Sequence, residues 1–204
     1  TRPAAVLGAC LLIWQTGAAR AIDYVWTNST GFAANVLELV IDPSNPRTVY
    51  AGTFGAGVYR STTGGTSWTA LSSGLGARDI TALALATSGG AQTLFAGTDT
   101  AGVFQITGGT GVWTAANNGL TARQIESLAI DPTNPRTMYV GTNGGGVHKT
   151  TDGALTWYQA NAGMGNCRAF ALAIDPGAPQ TLYAAVIDQG IYKTTTGGAW
   201  WTQI

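Results

Sequence analysis

Residues 126–157 read ESLAIDPTNPRTMYVGTNGGGVHKTTDGALTW. The apolar run Glu126–Ile130 meets the turn Asp131-Pro132-Thr133-Asn134-Pro135. Pro presets the backbone angle there, and Asp or Asn bonds the turn backbone. A second run follows, then Gly144-Gly145-Gly146, a third run, and a glycine turn that opens onto Trp157. Runs this short, bounded by turn residues, read as strands, and no 3.6-residue period argues for helix.

The pattern recurs on both sides of this stretch. Trp68, Trp113, Trp157 and Trp201 are spaced 45, 44 and 44 residues apart. Tyr50, Phe95, Tyr139 and Tyr183 keep the same spacing, and Ile41, Leu85, Ile130 and Ile174 stay in step at 44, 45 and 44. Three columns in one register mark an internal repeat. The turn has close copies at Asp42-Pro43-Ser44-Asn45-Pro46 and Asp175-Pro176-Gly177-Ala178-Pro179. Each unit is expected to hold four strands, the first at Leu37–Ile41, Thr81–Leu85, Glu126–Ile130 or Phe170–Ile174. A Gly-Leu or Gly-Met step (Gly74-Leu75, Gly119-Leu120, Gly163-Met164) leads to the next unit.

Short, evenly spaced strands with one aromatic per hairpin predict an all-β chain, a β-propeller with four-stranded antiparallel blades. About four blades are expected, over roughly 36–79, 80–124, 125–168 and 169–204. The first strands carry large residues on one face (Leu39, Ile41; Leu83, Leu85; Leu128, Ile130; Leu172, Ile174). Their other face is mostly small (Ala82, Ala84; Ser127, Ala129; Ala171, Ala173). Large against small lets neighbouring blades interdigitate near an axis.

The turn before each Trp carries a family resemblance. Ser61-Thr62-Thr63-Gly64-Gly65-Thr66-Ser67-Trp68 resembles the Asp-box, or BNR, repeat, Ser/Thr-x-Asp-x-Gly-x-x-Trp. Thr150 to Trp157 keeps Asp152 but has Ala154 for the Gly; Thr194 to Trp201 keeps Gly198 and lacks the Asp; Ile106 to Trp113 is degenerate. The box is shared by sialidases, sortilin-type receptors, xyloglucanase-type glycosidases and photosystem II assembly-factor-like propellers. The resemblance implies a fold more than an activity, because the box residues (Ser61, Gly65, Trp68, Trp113, Thr150, Asp152, Trp157, Thr194, Gly198, Trp201) are structural in such proteins. It also implies a ring of roughly six to eight blades. Trp26 looks like a fourth strand lying upstream of the first full unit, with residues 22–35 closing a terminal blade. Further blades downstream are therefore expected, the alternative being a closed four-blade ring.

Arg2 precedes an apolar run from Ala4 to Trp14, too short to cross a bilayer as a helix. Ala19-Arg20-Ala21 has the small-x-small form of a signal-peptidase site. Residues 1–21 read as the end of a secretory signal, cleaved before Ile22. A buried segment and a lipoprotein signal at Leu7-Gly8-Ala9-Cys10 are the alternatives. The expected location is secreted, periplasmic or extracellular. Without residues 1–21 the chain carries eight basic and ten acidic residues, a net charge of −2, and one thiol, Cys167. Asn28-Ser29-Thr30 fits the glycosylation pattern of a eukaryotic secretory path.

Ten Lys+Arg balance ten Asp+Glu, and 10% of residues are charged. A nucleic-acid binder needs a basic face, so that class is argued against. One His and two Cys argue against a zinc site. No metal, no cofactor and no stable membrane insertion after signal removal are expected.

In a propeller, the loops entering the first strand and those joining the second to the third share one face around the axis, where binding sites lie. The entering loops carry Arg78-Asp79, Arg123-Gln124 and Cys167-Arg168; the others carry Phe54, Asp99, Asn143 and Asp188. The candidate ligand site is therefore Arg78, Asp79, Asp99, Arg123, Asn143, Arg168 and Asp188, with a glycan or a protein as partner. Local pairing on a solvated rim, such as Arg78 with Asp99, is the competing reading. Sialidases use an arginine trio, but Arg168 is one position off the Arg78/Arg123 column, and no sialidase nucleophile can be assigned.

Inverting glycoside hydrolysis needs two carboxylates roughly 6.5–9.5 Å apart, and Asp79, Asp99, Glu126 and Asp188 are the candidates. None sits in a motif that matches the xyloglucanase catalytic positions; the resemblance implies that those acids come from opposite parts of a longer chain, so this stretch is expected to hold at most one of them. Glu38 replaces the small residue of its column, as an inter-blade hydrogen-bonding group or a channel-facing acid. His148 sits in the column of Tyr59, Phe104 and Tyr192 and reads as a half-buried strand residue. Cys167 has no identifiable base. Trp200 points opposite to Trp201, either packing between blades or offering a sugar-stacking platform. Asp42, Asp131 and Asp175 read as turn formers, and Gly144-Gly145-Gly146 lacks the helix that phosphate cradling uses.

Overall fold

The computed structural model describes residues 34–204. The signal segment, the Cys10 alternative, the Asn28 pattern and the strand at Trp26 lie outside the described residues.

Among the described residues, sixteen strands form four antiparallel sheets, each with its four strands in chain order. The first sheet holds β1 (Asn35–Ile41), β2 (Val49–Phe54), β3 (Gly57–Ser61) and β4 (Thr69–Ala70). The second holds β5 (Ile80–Ser88), β6 (Ala91–Thr98), β7 (Gly102–Thr107) and β8 (Thr114–Ala115). The third holds β9 (Ile125–Ile130), β10 (Met138–Thr142), β11 (Gly146–Thr150) and β12 (Tyr158–Gln159). The fourth holds β13 (Ala169–Ile174), β14 (Leu182–Val186), β15 (Gly190–Thr194) and β16 (Thr202–Gln203). The innermost strands pack in series, β1 on β5, β5 on β9 and β9 on β13.

The inner strands begin earlier than the apolar runs suggest. Each carries a bulge, at Leu37, Thr81, Glu126 and Phe170, where one residue has no partner across the ladder. A bulge re-aims its side chain, and these four line the axis.

The two faces of each sheet behave as the large–small pattern requires. Tyr50 and Val58 of the first sheet pack on Leu83, Leu94 and Phe104 of the second. Phe95 and Val103 of the second pack on Leu128, Met138 and Val140 of the third. Tyr139 and Val147 of the third pack on Leu172, Leu182 and Tyr192 of the fourth. Each fully buried side chain of this kind contributes about 1.5–3 kcal/mol. Every residue of β10 is buried, because both faces of that sheet are covered. In β14 burial alternates, because one face is bare.

Tryptophan clasps neighbouring sheets. The indole nitrogens of Trp113, Trp157 and Trp201 donate to the carbonyls of Leu71, Ala116 and Ala160 in the preceding sheet, at 2.6, 2.8 and 2.7 Å. Their backbone N–H groups donate to Ser73, Asn118 and Ala162 at 2.9, 2.8 and 2.8 Å. Gly119 and Gly163 sit against this clasp with φ of 84° and 93°, and a Cβ there would collide with the carbonyls of Trp157 and Trp201.

The turns follow from side-chain acceptors. The Asp42 and Asp131 carboxylates each accept two backbone N–H groups and one hydroxyl, and Asp175 accepts two N–H groups. Before the tryptophans, Ser61 Oγ accepts from the N–H of Thr63 and Gly65 at 3.2 and 2.9 Å. Thr150 Oγ1 accepts from Asp152 and Ala154 at 3.3 and 3.1 Å, and Thr194 Oγ1 from Thr196 and Gly198 at 3.1 and 3.3 Å. Asp152 accepts the Thr156 N–H at 3.0 Å; the hydroxyls of Thr63 and Thr196 take the same part toward Ser67 and Trp200. Hydroxyl thus replaces carboxylate in two of these turns.

The four sheets form an arc that does not close. Leu39 and Ile41 are 56% and 55% exposed, whereas their counterpart Leu83 is 5% exposed. Tyr183 and Ile191 are 37% and 49% exposed, whereas Tyr139 and Val147 are fully buried. A closed four-blade ring would cover all four, so that alternative is set aside.

Candidate functional site

The loop-rich face is assembled by main-chain bonds between consecutive sheets. The N–H groups of Gly57, Gly102 and Gly146 donate to the carbonyls of Arg78, Arg123 and Cys167 at 2.9, 2.9 and 3.0 Å. The N–H groups of Asp99, Asn143 and Ile187 donate to those of Asp79, Gln124 and Arg168 at 3.1, 2.9 and 3.1 Å. Arg78, Arg123 and Cys167 are thereby equivalent, and so are Asp79, Gln124 and Arg168. Two arginines stand in register, and the third falls one place along the chain.

Most polar side chains here are tied to one another. Asp79 Oδ1 accepts the Gly55 N–H at 2.6 Å. Asn143 Nδ2 donates to Gln124 Oε1 at 2.9 Å, and Gln124 Nε2 donates to Asp99 Oδ1 at 2.8 Å. Asp99 is therefore bound to Gln124, not to Arg78 as a local rim pair would have it. Arg168 grips Glu126 with two nitrogens, Nε at 2.8 Å and Nη2 at 3.3 Å, and the Glu126 side chain is only 8% exposed. Asp188 does not share the column of Phe54, Asp99 and Asn143; Ile187 does. Asp188 stands instead where the turn glycines Gly55 and Gly144 stand, with φ of 62° against 83° and 85°. Arg78 and Arg123 are exposed, and neither guanidinium meets a side-chain partner among the described residues.

Behind this rim the inner strands line an open axial cavity of about 700 Å³, bordered by the four bulge residues with Glu38, Ser127, Leu128 and their neighbours. Glu38 faces this cavity and makes no inter-blade hydrogen bond among the described residues, which favours the channel-facing reading over the inter-blade one. Desolvation raises its carboxyl above the usual range, against the lowering effect of the Leu39 N–H. Ser127 Oγ is buried and has no hydrogen-bond partner among the described residues. The signal for Glu38 was its charge in a column otherwise held by Ala82, Ser127 and Ala171. The bulges carried no sequence signal.

His148 is fully buried, with Nε2 2.8 Å from the Thr121 hydroxyl and no partner on Nδ1 among the described residues. Burial pushes the Cys167 thiol upward, away from a nucleophile's range. Trp200 is 62% exposed rather than packed between blades, with its ring edge near Gly163. Among the described residues, no group of three or more His, Cys, Asp or Glu could hold a metal ion. No helix there is long and apolar enough to cross a membrane.

No family model matches the sequence, and no curated protein matches it. Solved structures are similar in fold. An ancestral GH74 enzyme shares 23% identity at a TM-score of 0.71, covering 90% of this chain and 26% of that one. The GH74 xyloglucanase from Xanthomonas campestris shares 20% at 0.65, covering 84% and 30%. YCF48 bound to D1 peptide shares 16% at 0.58, covering 87% and 55%. The chain thus spans 26–30% of the length of these two GH74 structures and 55% of the YCF48 chain. The likeness is one of architecture: stacked four-stranded sheets around an axis give this chain the fold of a partial β-propeller ring.

Proposed function

We propose that the protein is a secreted propeller scaffold that binds a glycan or protein partner at its loop-rich face, with no complete catalytic set in this chain. One observation carries the reading. Arg78 and Arg123 stand exposed at equivalent rim positions with guanidiniums that meet no side-chain partner among the described residues, while Asp79, Asp99 and Glu126 are engaged. A guanidinium offers five fixed donors suited to a carboxylate or to neighbouring hydroxyls. Phe54 and Phe170, 59% and 51% exposed, add apolar surface. The D1 peptide in the YCF48 structure supports a protein partner, and the GH74 neighbours support a glycan. The secreted part of the reading rests on the leader-like residues 1–21, and the turns before the tryptophans support membership of the Asp-box group.

A screen of the full chain against glycans and peptides tests this, with Arg78→Ala and Arg123→Ala alongside. A charged hydrogen bond is worth about 1.5–3 kcal/mol, so each variant should weaken binding roughly 10- to 100-fold. Unchanged affinity in both would remove the site.

A second reading is glycoside hydrolysis of the xyloglucanase type. It is favoured by Glu38, a carboxyl raised by desolvation inside the axial cavity, as a general acid requires. Assay of the intact protein on plant β-glucans decides it: turnover lost in Glu38→Gln supports the reading, and absence of turnover on every substrate ends it.

A further inference from the structure

We propose that the notch between the second and third sheets, on the face opposite the rim, binds a cationic group, an alkylammonium or alkylguanidinium ion. Each internal junction places a cross-strand pair of one sheet against the turn between the third and fourth strands of the next. The pairs are Tyr50 with Arg60, Phe95 with Gln105, and Tyr139 with Lys149. The facing turn glycines are Gly109, Gly153 and Gly197, which share one column of the repeat.

At two junctions the chain fills its own notch. The Tyr139 hydroxyl and Lys149 Nζ both donate to the Gly197 carbonyl, at 3.1 and 2.9 Å, and the ammonium lies 5.2 Å from the centre of the Tyr139 ring. Arg60 Nη1 donates to the Gly109 carbonyl at 3.0 Å. At the second junction Phe95 has no hydroxyl, and Gln105 is shorter and uncharged. No donor reaches the Gly153 carbonyl among the described residues. A Cβ built on Gly109 would meet the Tyr50 hydroxyl at 2.7 Å, and one on Gly197 the Lys149 ammonium at 3.2 Å; one on Gly153 would meet nothing within 4 Å. The open space amounts to about 350 Å³, bordered by Phe95, Gln105, Asp152 and Gly153.

The missing group defines the ligand. The filled junctions set a cation where a main-chain carbonyl and an aromatic residue converge, and Gly153 and Phe95 keep both. The second junction adds a carboxylate, since Asp152 stands where Gly108 and Thr196 stand. The Thr150 hydroxyl and the Thr156 N–H hold it ionised at neutral pH. Arg136 also borders the notch, in the column of Gln92 and Gln180. Gln92 reaches back to Asp42 at 2.7 Å, but the second sheet has Ala86 in the Asp42 column, and Arg136 forms no ion pair among the described residues. Its charge opposes a cation, so its removal separates this reading from one in which the notch takes an anion. Both sheets that border the notch have a neighbour on each side, so blades added at either end of the arc would leave it open.

Amide NMR spectra of the full chain, titrated with n-butylammonium, n-butylguanidinium, n-butanol and a short peptide carrying one lysine, test this. The expected result is a saturable shift confined to Gly153 and its neighbours at about millimolar cation, and none with butanol. Gln105→Lys supplies the ammonium from within, as Lys149 does; it should abolish the shift and raise the melting temperature. Asp152→Asn should weaken binding several-fold, and Arg136→Gln should strengthen it. Tighter binding of the peptide than of butylammonium would mark a lysine side chain as the source, and the reverse a free amine; either supports the site. Equal shifts with butanol, no shift with either cation, or weaker binding in Arg136→Gln overturns the proposal.

Discussion

The indole N–H of Trp157 reaches back into the preceding sheet and donates to the carbonyl of Ala116 at 2.8 Å. Trp113 and Trp201 do the same toward Leu71 and Ala160. The residue that marks the repeat in the sequence is thus the residue that joins one repeat to the next. Trp157→Phe keeps most of the apolar volume and leaves a buried carbonyl unpaired. The expected loss is about 1–3 kcal/mol by urea denaturation. Trp200→Phe, at an exposed site, should stay within about 0.5 kcal/mol.

Glycine beside the clasp is required twice over. Gly119 has φ of 84° and no room for a Cβ against the Trp157 carbonyl, whereas Gly153 has φ of 80° and open space. Gly153→Ala should cost about 1–2 kcal/mol, from backbone strain alone. Gly119→Ala should cost clearly more, about 3 kcal/mol or above, because the main chain must shift. Equal melting temperatures for the two variants would contradict the collision.

Burial holds the His148 imidazole below its ordinary pKa. The unfolded chain then binds the proton more readily than the native state. The stability held by neutral His148 is fully present above about pH 6.5 and is lost as pH falls through the folded value. His148→Phe places the residue found at Phe104 in the same column. Unfolding midpoints between pH 7 and pH 5 should fall less steeply in this variant than in the wild type.

Asp152 is held below the usual carboxylate range, first by the Thr150 hydroxyl and then by the Thr156 N–H. Its contribution is present above about pH 3.9 and is lost as pH falls through the lower folded value. Asp152→Asn should therefore be less stable than the wild type at neutral pH. The gap should narrow as both are titrated below about pH 4. A constant gap would show that charge plays no part in that turn.

The architecture was legible because a sheet covered on both sides needs a strict pattern. Leu128 and Ile130 against Ala129 and Ser127 state which face is large and which small, and packing density permits little else. The turns were legible at Asp42, Asp131 and Asp175, where a local carboxylate meets backbone a few residues on. The rim was less legible. Arg78, Arg123 and Arg168 look like a trio until the main-chain ladder shows Arg168 in the Asp79 position, facing Glu126. Asp99 found Gln124 rather than Arg78, and Glu38 turned to the axis, because those outcomes depend on how consecutive sheets meet.

The amino-acid sequence by itself determined the strand period, the aromatic that ends each unit and the polarity of each sheet face, since these rest on contacts repeated every 44 or 45 residues. Only the tertiary structure decided where the bulges at Leu37, Thr81, Glu126 and Phe170 aim, which rim charges meet a side-chain partner, and that Leu39 and Tyr183 stand bare. A bulge is one surplus residue in a ladder, and a bare face is a missing neighbour; neither leaves a mark in the local pattern of side chains.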